Sequence, residues 1–234
     1  MQLFYFNNLT PDTSVLQLDK EQARHMTKAL RKKVGDSVHI TDGVGNLYHG
    51  VISLVTSNKC RIDITFAKAF PKPSQNLHIA IAPTKMNDRM EWFLEKATEM
   101  GISKITPLRC DHSERKKINR DRFQKILISA IQQSNQFYIP IIEELTDISD
   151  FLKTNITGVK CIAHCEDTPK KTLPHMIDKS QDFTLIIGPE GDLSSREIDA
   201  AVTYGFTPIS LGNKRLRTET AGVYTAAVFN STIE

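Results

Sequence analysis

Arg217 and Glu219 stand two residues apart inside Leu211–Ala221, which reads Leu-Gly-Asn-Lys-Arg-Leu-Arg-Thr-Glu-Thr-Ala. A cation and a carboxylate so placed can stabilise charge on a bound substrate or move a proton. The stretch follows Pro208 to Ser210, which reads as a strand end, and leads into Gly222 to Ser231, whose apolar residues have helical spacing. It is a strand-to-helix loop, the place where open α/β sheets hold ligands on helix N-terminal N–H groups. A second such loop lies upstream. Leu185 to Ile187 run into Gly188-Pro189-Glu190-Gly191-Asp192, and a helix opens at Ser194 with Glu197 at capping-box spacing. Two glycine-bearing loops on adjacent strands imply one ligand held largely by backbone. Neither has the spacing of a nucleotide phosphate loop or of a dinucleotide fingerprint, so ATPases and nicotinamide enzymes lose their usual support.

Cys161, His164 and Cys165 invite a zinc reading, but strand alternation sends neighbours to opposite faces and no fourth ligand stands at a recognisable spacing, so no metal is expected. The four cysteines are scattered, and reduced thiols are the default. With 40% hydrophobic and 24% charged residues the composition is that of a globular protein, which excludes disordered and fibrous classes. No run approaches the roughly 20 apolar residues of a membrane helix. The start, Met-Gln-Leu-Phe-Tyr-Phe-Asn-Asn, lacks a signal peptide's basic and apolar regions, and the expected location is cytoplasmic. The net charge of +3 is unevenly spread: residues 1–72 hold ten Lys and Arg against six Asp and Glu. Arg24, Lys28, Arg31, Lys32 and Lys33 form a cluster that suits nucleic acid better than a merely solvated face.

Positioning these groups takes two kinds of architecture. Residues 2–6, a helix over Lys20–Leu30, and strands at Ser37–Thr41, Leu47–Val55 and Cys60–Phe66, with turns at Asp42-Gly43, Gly45-Asn46 and Ser57-Asn58, read as a small β-barrel domain over 1–72. Pro71-Lys72-Pro73-Ser74 marks the boundary. Over 73–234, strands alternate with helices: strands at Leu77–Ala82, Ile102–Leu108, Lys160–Cys165 and Phe183–Ile187, helices at Asp88–Met100, Asp121–Gln133, Ile148–Leu152 and Ser194–Tyr204. Asp88 and Glu91 stand at cap spacing, and the alternation implies an α/β domain with a mainly parallel sheet. The last helix, Thr220–Ser231, is apolar around nearly its whole circumference, which points to a homodimer interface as its second cover, with the centre of a monomer as the competing reading.

Ile187-Gly188-Pro189-Glu190-Gly191, Ser194, Glu197-Ile198, Leu211-Gly212 and Leu216-Arg217-Thr218-Glu219-Thr220-Ala221 together resemble the ribosomal RNA small-subunit methyltransferase E family, a member of the SPOUT class. Lys85, Glu91, Lys96 to Gly101, Ser113-Glu114-Arg115, His25, Leu30-Arg31 and Val34-Gly35-Asp36 extend the match in order along the chain. The resemblance implies a SPOUT domain with a deep trefoil knot after a PUA-like barrel, and S-adenosylmethionine-dependent methylation of ring nitrogen 3 of a uridine in 16S ribosomal RNA, free or in the 30S subunit. It implies cofactor binding by the loop at His164, by Gly188, Pro189, Glu190 and Gly191, and by Leu211, Gly212, Leu216, Thr220 and Ala221, with Leu211 and Leu216 flanking the adenine. It also implies RNA contacts from Arg115 beside the basic cluster, and active sites shared within a homodimer. Arg217 would stabilise the uridine anion or hold the neighbouring phosphate; Glu219 is equally a base or a helix-dipole partner. Two departures stand out: Gln133-Ser134-Asn135-Gln136 replaces the family's Gln-Ser-Gly-Arg, and Asp192-Leu193 replaces a common Gly-Phe.

Overall fold

The computed structural model describes residues 2–56 and 58–233, which form two compact units, one of the described residues up to 72 with 131–139 and one of 73–130 with the described residues from 140 on. The first unit holds β1 (Leu3–Tyr5), β2 (Val15–Leu18), α1 (Lys20–Arg24), a π-helical turn (His25–Ala29), β3 (Ser37–Thr41), β4 (Asn46–Val55) and β5 (Cys60–Ala69). The strands form one sheet in the order β1-β3-β4-β5-β2. Its edge strands are not paired with each other among the described residues, so the expected barrel is a curled sheet rather than one closed by hydrogen bonds. Phe4, Val38, Ile40, Tyr48, Ile52 and Ile62 on its inner face bury Ala23 and Met26 of the helical segment. The helix expected over Lys20–Leu30 changes pitch at His25 and ends at Arg31, whose φ of 54° is left-handed. The turn expected at Ser57-Asn58 falls partly outside the described residues. Residues 131–139 join this unit through Phe137, stacked on Phe70 at 4.1 Å, and Tyr138, whose hydroxyl donates to the Phe70 carbonyl at 2.9 Å.

The second unit follows the expected alternation: β6 (Leu77–Ile81), α2 (Asn87–Glu99), β7 (Lys104–Arg109), α3 (Arg120–Ser134, its last turn in the first unit), β8 (Ile141–Ile142), β9 (Thr146–Asp147), α4 (Ile148–Phe151), β10 (Val159–Ala163), β11 (Lys171–Thr172), β12 (Phe183–Ile187), α5 (Ser195–Thr203), β13 (Thr207–Ser210) and α6 (Thr218–Ile233). The sheet is parallel throughout, in the order β11-β13-β10-β12-β6-β7-β8 with β9 beside β7. Every residue of β12 is buried, as befits a central parallel strand covered on both faces. One face packs Ala80, Ile162 and Ile186 against Phe151, Ile198 and Phe206. On the other, α6 packs on α2 and on β6 and β12. There Gly222 lies so close that a Cβ would sit 2.4 Å from the Phe93 ring. The cap expected from Asp88 and Glu91 is absent: α2 starts one residue earlier behind Met86, which makes no side-chain cap, and Glu91 pairs with Arg122 at 2.5 Å. Gly101 ends that helix at φ 79°.

Candidate active site

Strand order reverses at β10, which has β12 on one side and β13 on the other, with Ala163 level with both Ile187 and Ile209. The loops that leave the carboxyl ends of these strands therefore converge, the arrangement that makes a ligand crevice in open α/β sheets. They enclose a cavity of about 630 Å³. His164, Gly188, Pro189, Glu190, Leu211, Gly212, Leu216, Arg217 and Ala221 line it. Gly191 stands outside the wall, with a would-be Cβ 3.2 Å from the His112 side chain. Thr220 and Glu219 also lie outside it.

The cavity is held by few but specific bonds. Gly188 has no room for a side chain, since a Cβ would meet Leu193 at 2.8 Å. The Thr218 hydroxyl donates to the Gly188 carbonyl at 3.1 Å, tying the start of α6 to the loop after β12. Asp192 has a left-handed φ of 64°, and its carboxylate accepts from the Cys165 N–H at 2.8 Å and the Leu193 N–H at 2.9 Å. It thereby fastens the loop after β10 to the loop after β12. Below it the expected capping box at Ser194 and Glu197 is present, and the buried Glu197 also accepts from the Asp111 N–H at 2.8 Å. The sequence places Asp192 in the glycine loop at the cavity wall but does not reveal that its carboxylate ties two loops together, nor that Thr218 does the same for α6. An acidic residue directly after Gly-Pro-Glu-Gly was the available signal for the first.

Electrostatically the cavity wall offers Lys170, Lys214, Arg215 and Arg217 against Glu190 and Asp192, an excess of cations suited to an anionic or carboxylate-bearing ligand. His164 is 8% exposed, and neither ring nitrogen has a hydrogen-bond partner. Burial, then the Lys170 charge, holds its pKa below the usual imidazole range, so the ring is neutral and presents one donor and one acceptor. Buried polar groups are normally bonded, and these two point to a ligand carrying both an acceptor and a donor. Cys161 lies fully buried in β10, its thiol pushed up to about 12 by burial, while His164 and Cys165 sit beyond the strand end. Among the described residues no three His, Cys, Asp or Glu side chains gather as a metal would need.

Arg115, expected at RNA, is engaged otherwise: its guanidinium donates to the carbonyls of Thr84 and Lys85, and so braces the loop whose Lys85 N–H donates to Glu190 at 3.0 Å. In the other unit, Arg24, Lys28, Arg31 and Lys33 are exposed and Lys32 half-buried. Among the described residues none of the five has an ion-pair partner. Asn135, where the resemblance leads one to expect glycine, has a left-handed φ of 56° at the end of α3, a conformation asparagine tolerates best among residues with a side chain.

Residues 71–230 match the RNA methyltransferase domain and residues 18–65 the RNA methyltransferase PUA domain. A curated ribosomal RNA small subunit methyltransferase E from Buchnera aphidicola (subsp. Acyrthosiphon pisum) is 31% identical, over 88% of this chain and 83% of its own. The chain belongs to the ribosomal RNA small subunit methyltransferase E family. Structures agree with that membership. A probable rRNA-methyltransferase from Porphyromonas gingivalis superposes with a TM-score of 0.88 at 34% identity, covering 99% of this chain and 98% of the other. A Legionella pneumophila methyltransferase, solved in complex with S-adenosylmethionine, has the same TM-score at 27% identity, covering 98% and 97%. In this member of the methyltransferase E family the PUA-domain match falls within the first unit, and the methyltransferase-domain match spans the second unit together with residues 131–139 of the first.

Proposed function

We propose that the protein methylates ring nitrogen 3 of a uridine in 16S ribosomal RNA, with S-adenosylmethionine as donor bound in the cavity between the loops after β10, β12 and β13. The observation that carries this reading is that cavity, with a neutral His164 whose two ring nitrogens have no partner. The residues fit the cofactor: Leu211 and Leu216 offer apolar cover for an adenine, the loop backbones and His164 offer donors and acceptors, and the cationic wall suits the amino-acid carboxylate. When bound, the cofactor supplies an electrophilic methyl group on a sulfonium. Arg217, exposed on the cavity wall, opposes the negative charge that spreads over a uracil once nitrogen 3 loses its proton, a preorganised electrostatic role.

The same reading includes a trefoil knot formed as the chain passes from the loop after β13 into α6. It includes a homodimer through α6, whose outward residues Val223, Tyr224, Ala227 and Val228 are only partly covered. The basic cluster from Arg24 to Lys33 supplies affinity for the cytoplasmic RNA or the 30S subunit that contains it. Calorimetric titration with S-adenosylmethionine, alongside transfer of labelled methyl to small-subunit rRNA from cells lacking the modification, tests the reading. Binding lost in Gly188→Val and label in the rRNA are expected; no label in rRNA, with the cofactor bound, would overturn it.

A further inference from the structure

Glu219 sits in the first turn of α6 with its side chain 7% exposed, and its Oε2 has no hydrogen-bond partner. Its other oxygen, Oε1, lies 3.8 Å from Nε of Arg89 in the first turn of α2, too long for a hydrogen bond. Arg89 is 32% exposed, and among the described residues its guanidinium has no closer acceptor. A buried carboxylate without its full set of donors is costly, and the dipole of α6 alone leaves Oε2 unmatched. The pair lies beside the cavity on both of its chain segments. Arg217 and Thr218, immediately before Glu219, line the cavity, while Arg89 follows the loop whose Lys85 N–H is bonded to the cavity-wall Glu190.

An open acceptor next to an open cationic donor is the complement of an imide edge, which offers one N–H and a flanking carbonyl oxygen. We infer that Arg89 and Glu219 together read the imide edge of the target uracil, Glu219 accepting the nitrogen 3 proton and Arg89 donating to a flanking carbonyl. This inference rests on the proposed nitrogen 3 chemistry. The N3–H bond breaks toward the Glu219 carboxylate, its electron pair stays on nitrogen 3 and forms the new bond to the methyl carbon, and the pair of the carbon–sulfur bond leaves with sulfur as a neutral thioether. The proton then passes from Glu219 to solvent. Cytosine keeps a flanking carbonyl but has an unprotonated N3, an acceptor facing the Glu219 carboxylate, and is rejected there.

Glu219→Gln, Arg89→Met and Arg89→Lys test it, with cofactor affinity by calorimetry, rRNA affinity by filter binding and thermal melting measured beside single-turnover methylation across pH. Gln keeps an acceptor but cannot take the proton. Glu219→Gln is expected to bind cofactor and rRNA within about twofold of wild type and to lose ~100-fold or more in rate, in the range general-base removal gives. That rate should climb at alkaline pH, where nitrogen 3 ionises unaided, and Arg89→Lys should recover part of what Arg89→Met loses. A wild-type rate in Glu219→Gln, or a pH-independent loss that follows cofactor affinity or melting, would overturn the inference and leave the methylation reading standing. Methyl placed by the wild-type enzyme on another atom would instead overturn that reading.

Discussion

His164 and Arg217 both line the cavity, the first buried and the second exposed, and the proposed chemistry gives them different roles. Replacing His164 by Leu removes a donor and an acceptor that no protein group satisfies, and we expect S-adenosylmethionine affinity to fall about tenfold while melting is unchanged or improved. A calorimetric titration with a parallel melt checks both. Arg217→Met should instead leave cofactor affinity within a few-fold and lower the single-turnover rate by about 10²- to 10³-fold, the loss typical of one preorganised charge-stabilising donor. His78 gives a pH dependence of stability. Burial, then the Lys104 charge, lowers its pKa to about 4, and its Nε2 lies 2.8 Å from the Thr106 hydroxyl. Because its folded pKa lies below the unfolded one, the unfolded chain binds the extra proton first. The contribution of His78 to stability is complete above about pH 6.5 and is lost as pH falls toward about 4, a loss of about 3 kcal/mol at 1.36 kcal/mol per unit. Urea unfolding at both pH values should show that loss in wild type and a smaller one in His78→Gln. Of these residues His164 was legible as a strand-end position that could line a ligand loop and through the resemblance, while neither its burial nor its missing partners leave a mark on the sequence.

The packing of α6 on α2 depends on Gly222, where a Cβ would lie 2.4 Å from the Phe93 ring. Gly222→Val must push the helix away, and a destabilisation of about 1 to 3 kcal/mol, typical of overpacking, is expected in urea unfolding. Elements were readable in the sequence where their cause is local. Phe183–Ile187 and the helix capped by Ser194 and Glu197 announce themselves because a continuous apolar run and a capping box are local signals. The edge strand β2 (Val15–Leu18) exposes Val15, and the two-residue strands β8, β9 and β11 are too short for any period, so their pairing comes from neighbours distant in sequence. The apolar stripe of α3 predicts a helix but not that the chain after it, from Phe137 to Ile139, completes the first unit. The expected cap on α2 failed because Glu91 is drawn to Arg122, a partner thirty-one residues away.

Two units with different charge imply two separable jobs for the whole molecule. Changing Arg31, Lys32 and Lys33 to Ser should flatten the dependence of log rRNA affinity on log salt by about 0.7 for each single-strand phosphate that is no longer neutralised, with cofactor affinity intact. Filter binding over a salt series measures it, and an unaltered slope would return the cluster to solvent. Val223→Glu, placing a charge in the half-covered face of α6, should split the proposed homodimer in sedimentation and lower methylation with it. The order of the glycine loops along the chain exposed the ligand crevice, whereas the reversal of strand order at β10 that makes the loops meet arises only when the sheet is assembled. Which atom receives the methyl group decides the proposed chemistry. Small-subunit rRNA from cells lacking the modification, treated with this protein and labelled S-adenosylmethionine, then digested to nucleosides and resolved by mass spectrometry, should carry its label as 3-methyluridine at one position. Label on a ribose hydroxyl, on a carbon of the ring or on another base would contradict it.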